Sequence, residues 1–119
     1  MSDQVVVSGE VSFAPGATPF SKATAYISLL DVSRQDAPSK TIAKQVIKNV
    51  KFSAGEKIKF SLSGEIDDPR GMYIVSAHID VDGDSEVSVG DYITTGYYPV
   101  STDRRTTTDL RVLVHPVRS

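Results

Sequence analysis

Hydrophobic residues recur at every second position along most of this chain. Val5, Val7, Val11 and Phe13 share one face of an extended segment, with Gln4, Ser8, Glu10 and Ser12 on the other. Ala25, Ile27 and Leu29 alternate in the same way, although Tyr26, Leu30 and Val32 make that segment apolar on both sides. Ile58, Phe60 and Leu62 alternate with Lys57, Lys59 and Ser61. Tyr73, Val75, Ala77 and Ile79 form a further row, and Leu110, Val112 and Val114 the last. A period of two, carried by β-branched and aromatic residues, marks strands buried on one face. Between the rows lie turn formers: Pro15-Gly16, Ala54-Gly55, Asp67-Asp68-Pro69-Arg70-Gly71 and Ser101-Thr102-Asp103. The pattern predicts an all-β fold, a single β-sandwich domain over residues 1–119 with about seven mostly antiparallel strands. One stretch is ambiguous. Ile42, Ala43, Val46, Ile47 and Val50 fall at helical spacing. Their β-branched character and the strand-like flanks favour a strand.

Size agrees with one domain, since 119 residues bury enough surface to fold without a staple. Thirteen basic against fifteen acidic residues give a net charge of -2, which speaks against general nucleic-acid binding and against a polybasic membrane-surface role. The absence of cysteine removes disulfides, thiolate metal sites and cysteine nucleophiles. Met1-Ser2-Asp3-Gln4 offers no basic n-region, and Val5-Val6-Val7 is too short for a signal peptide core or a membrane span. On this reading the chain is expected to be cytoplasmic.

The most distinctive chemistry is Asp80-Val-Asp-Gly-Asp-Ser-Glu-Val-Ser-Val-Gly-Asp91. Asp80, Asp82, Asp84, Glu86, Ser88 and Asp91 stand first, third, fifth, seventh, ninth and twelfth in it. That is the spacing with which a chain wraps oxygens around calcium, a hard ion that takes six to eight of them. Asp80, Asp82, Asp84 and Asp91 would give side-chain ligands and Glu86 its backbone carbonyl. The stretch resembles an EF-hand-type or dockerin-type loop, with Ser85 in place of the sixth-position glycine and Asp91 in place of glutamate. Its flanks read as strands, so the loop would sit on a β scaffold as a structural clip. The competing reading is an acidic hairpin tip, in which aspartate and glycine serve only the turn.

Catalytic signatures are missing. His78 faces away from the apolar row of its strand and His115 closes the last strand, neither within a metal or nucleophile motif. There is no nucleophile elbow, phosphate loop or dinucleotide fingerprint. An enzyme is not expected; a small hydrolase would need a pocket placing a histidine beside a carboxylate. Tyr92, Tyr97 and Tyr98 crowd behind the acidic loop, either as partner contacts or as half-buried sheet residues.

A family resemblance covers most of the chain. Leu30-Asp31-Val32-Ser33-Arg34-Gln35-Asp36-Ala37-Pro38-Ser39, followed by Ile42-Ala43-Lys44-Gln45-Val46, resembles the first signature of the YbaY/YscW-like family. Ile66-Asp67-Asp68-Pro69-Arg70-Gly71-Met72-Tyr73 with Ala77-His78-Ile79, and then Tyr98-Pro99-Val100, resemble its later motifs in the same order. The resemblance implies a small β-sandwich. It also implies kinship with lipoproteins that act as type III secretion pilotins and help place a secretin ring in the outer membrane; such relatives are often periplasmic. The chain carries no cysteine that could be lipidated. The residues of the signature have their own physical reading: Asp31, Ser33 and Asp36 stand where an apolar strand ends and can satisfy backbone donors of a turn, while Arg34 or Arg70 could pair with a carboxylate. The sequence therefore points first to a calcium-binding β-sandwich interaction module with a protein partner. The alternative is a pilotin-like chaperone that binds an extended partner segment by strand addition.

Overall fold

The structure is a computed structural model that describes residues 3–15, 20–33, 38–52, 57–66, 70–81, 83, 89–96, 98–100 and 106–117. The five alternating rows become strands, and two more join them: β1 (Asp3–Phe13), β2 (Phe20–Asp31), β3 (Lys40–Phe52), β4 (Ile58–Ile66), β5 (Tyr73–Asp80), β6 (Tyr92–Thr94) and β7 (Thr106–Pro116). The described residues include no helix. The strands form one mixed sheet in the order β3-β2-β5-β6-β7-β1-β4. All pairings are antiparallel except β1 with β7, which runs parallel.

The sheet curls until its end strands β3 and β4 face each other, so the expected sandwich is a nearly closed barrel. Curling lets every strand turn its apolar row to one interior. Val7, Val11, Ile27, Leu29, Ile79, Val112 and Val114 have essentially no exposure there. Tyr73 and Tyr92 join this core, and Phe13 meets Tyr92 edge to face at 5.3 Å.

Curvature is concentrated at irregularities. The β1–β7 register shifts between Val7 and Gly9, and Asp109 takes φ 59° in the bulge. Gly9 lies so tight against β7 that a Cβ there would stand 2.0 Å from the Leu110 carbonyl oxygen. The ambiguous stretch is strand β3, and bulges explain its helical look. Its register against β2 shifts between Leu29 and Leu30 and again between Ala23 and Ala25, and Asn49 has φ 59°. Two phase slips turn a period of two into the irregular spacing of Ile42, Ala43, Ile47 and Val50.

Candidate functional site

Two places combine polar chemistry with defined geometry. The first is the base of the acidic loop. Strand alternation directs His78 outward and buries Ile79, while Asp80 ends β5 and Asp91 precedes β6. Asp80 is 1% exposed and Asp91 0%. The Asp91 carboxylate accepts from the Val81 amide through Oδ1 and from His78 Nε2 through Oδ2, both at 2.9 Å. Asp80 Oδ1 accepts from the Gly83 amide at 2.9 Å. A carboxylate only accepts, so Nε2 carries the ring proton. His78 in turn stacks on Tyr26 at 5.8 Å, and the Lys44 ammonium lies 5.0 Å from the centre of the Tyr26 ring.

These contacts form a clasp that holds the two ends of the loop together. Ligand atoms of His78, Asp80 and Asp91 lie within 4.8 Å of one another, close enough for one ion. Asp80 and Asp91 are legible from their spacing in the sequence; the signal for His78 is its place two residues before Asp80 on the outer face. Three carboxylate oxygens here accept protein donors, and the imidazole occupies one side of Asp91. Asp82, Asp84 and Glu86 lie outside the described residues, as do Ser85, Ser88 and Tyr97.

The second place is the seam between β3 and β4. Gln45 is paired with the fully buried Ile27, so its side chain belongs to the inward row of β3. It reaches across the gap, and its Oε1 accepts the Ser61 amide of β4 at 2.9 Å. Further along, β4 comes so near β3 at Gly64 that a Cβ would stand 2.8 Å from Ile42 Cγ2 and 3.1 Å from the Ile42 carbonyl oxygen. The seam is thus closed by side chains where every other junction of the sheet is closed by main-chain pairing. Exposed lysines stand on both end strands: Lys40, Lys44, Lys48 and Lys51 on β3, with Lys59 on β4 and Lys57 just before it.

The signature residues do structural work. Asp31 Oδ1 accepts from the Ser33 amide at 2.9 Å and the Ser33 hydroxyl at 2.6 Å, and Ser33 Oγ accepts from the Met72 amide at 2.9 Å. The Val32 amide donates to the Met72 carbonyl at 2.9 Å. The first signature is therefore pinned to the second, as the turn reading of Asp31 and Ser33 expects; Arg34 and Asp36 lie outside the described residues. In the last motif, the Tyr98 carbonyl and the Val100 amide bond to β5 around Pro99, and the Tyr98 hydroxyl ties to both backbone groups of Leu113. Tyr98 and the buried Tyr92 are thus sheet-anchoring residues. His115 bonds through Nδ1 to the Thr95 hydroxyl at 3.0 Å. The open hollow lined by Glu10, Asp109, Leu110 and Arg111 holds neither histidine.

The family model described as Type III secretion system lipoprotein chaperone (YscW) matches residues 2–112. The chain belongs to the YscW family. All three motif regions lie within the matched span, and the ties between them account for the YscW signature as a way of fastening the barrel. A solved structure described as an alternative pilotin from the type II secretion system of Vibrio cholerae superposes with a TM-score of 0.73 at 27% identity, covering 98% of this chain and 100% of that one. Among curated proteins none matches significantly. The descriptions of the YscW family and of the superposed structure are of a chaperone and a pilotin, and neither names an enzymatic activity.

Proposed function

We propose that this YscW-family protein is a pilotin-like secretion chaperone that acts by binding, without catalysis, an extended segment of a protein of the secretion apparatus. The reading rests on one observation above the others: the sheet ends at β3 and β4 without a main-chain ladder, and a β4 amide takes a side-chain acceptor where a strand carbonyl would fit. An extended peptide supplies such carbonyls, and strand addition is the general way in which a sheet end captures one. The pilotin description of a structure superposing over nearly the whole chain supports the same choice. The client class expected from the family is a secretin. Deleting the gene from a host that carries a cognate secretin should leave secretin subunits unassembled or misplaced, and restoring the gene should recover outer-membrane multimers. Unchanged multimers in the deletion strain would overturn the reading.

A second reading keeps calcium. The convergence of Asp80 and Asp91, buried and clasped at the loop base, supports a loop in which Asp80, Asp82, Asp84 and Asp91 give side chains and Glu86 its carbonyl to one ion. Calorimetric titration of chelator-stripped protein, beside Asp82→Ala/Asp84→Ala, decides it. Binding of one ion, lost in the variant, is the expected result. Silence up to about millimolar calcium, the weak end of such loops, would remove it.

A further inference from the structure

We infer that the β3–β4 seam is an interaction surface for an extended segment rich in aspartate and glutamate, an inference that deepens the chaperone reading and rests on it for the biological identity of the segment. Geometry comes first. Following the pairings around the sheet, β3 and β4 run antiparallel to each other across the seam. Ile42 approaches Gly64 and Gln45 approaches Ser61, so three steps along β3 match three steps back along β4. The two strands therefore hold a pairing register with no ladder between them. The amide and carbonyl of a residue point to one side of its strand and alternate along it. Since the Ser61 amide points at Gln45, the amides of Lys59 and Ser63 also point into the seam. A partner strand would have to part β3 from β4, which touch at Ile42 and Gly64, and would then replace the Gln45 oxygen with its own carbonyl.

Charge selects the partner. The whole chain is slightly acidic, yet β3 carries four lysines and no acid, and Lys57 and Lys59 continue the row on the other bank. Within β3 and β4 themselves stand five lysines and one acid, Glu65, and Lys57 directly precedes β4; on the neighbouring strands, Glu10 faces Lys59 and Asp31 faces Lys40. Lys57 is partly engaged by Glu10 at 3.6 Å, and Lys44 leans on Tyr26. Lysines are also a device that keeps strand edges from pairing at random. Here the same row sets a filter: a neutral or basic strand meets repulsion or indifference, and an acidic one is drawn in and held in register.

The test uses the full chain, isotope-labelled, and three short synthetic peptides. Each alternates threonine and valine with one other residue, which is glutamate, glutamine or lysine. The expected result is that the glutamate peptide binds at least about tenfold more tightly than the lysine peptide, with weakening at high salt. Amide shifts should concentrate in β3 and β4, Ser61 among them. The surface variant Lys44→Glu/Lys48→Glu, which touches no core residue, should reverse the order of the peptides. Equal affinity for all three peptides, or shifts centred on the Tyr26–His78 face, would overturn the inference. So would self-association through residues 80–91 in place of peptide binding, because the acidic occupant would then be a second copy. The secretin readout separates this inference from the reading beneath it. If deletion impairs multimers but Lys44→Glu/Lys48→Glu restores them fully, the acidic seam falls and the chaperone stands. If deletion has no effect, the chaperone reading falls whatever the peptides do.

Discussion

Single residues hold this barrel at points where there is no room for adjustment. At Gly9, any side chain would collide with the β7 backbone, which cannot yield as a flexible side chain can. Gly9→Ala should lose about 3 kcal/mol of stability, at the upper end of overpacking costs, with urea unfolding as the readout. At Asp91 the issue is satisfaction. Every buried polar side-chain atom among the described residues has a partner, and removing this carboxylate strands the Val81 amide and the His78 ring. Asp91→Ala should cost about 2–3 kcal/mol, the penalty for an orphaned buried donor. Asp91→Asn retains an acceptor for Val81 and should cost less in the same denaturation series. Asp31 and Ser33 act closer to the surface. Asp31→Ala should cost about 1 kcal/mol and speed hydrogen exchange at the Met72 amide, because Ser33 loses the partner that orients its hydroxyl.

At the scale of elements, alternation in the sequence was enough to place strands β1, β2, β4, β5 and β7, because each keeps its phase over the apolar row. β3 was harder to read because its bulges sit inside it, and a bulge depends on the partner strand, which no single segment encodes. The three-residue β6 is too short to carry a period. Asp80 and Asp91 were visible by spacing and charge, whereas His78 was hidden by treating it as one histidine on one strand. The seam was hidden for a different reason. Gln45 looks like an ordinary polar residue until the β2 register places it in an inward row beside Ile27. Its deletion tests how the seam is closed: Gln45→Ala should accelerate exchange of the Ser61 amide while lowering global stability by only about 0.5 kcal/mol, because the bond is exposed.

Over the whole molecule, the first and last strands are neighbours inside the sheet, and its end strands come from the interior of the chain. Val6 lies opposite Thr106, and Phe13 opposite Val114. The parallel junction that ties the barrel is thus made between segments about as distant in sequence as this chain permits. Contacts of that kind cannot form during synthesis until nearly all of the chain has left the ribosome, and their loop-closure cost slows folding even afterwards. The β2–β3 hairpin can form early and locally; the core cannot close around it until β7 arrives. A nascent chain of this protein is consequently a chain in waiting, with apolar strands made long before their central partner, and for that interval it depends on its surroundings to stay unassociated.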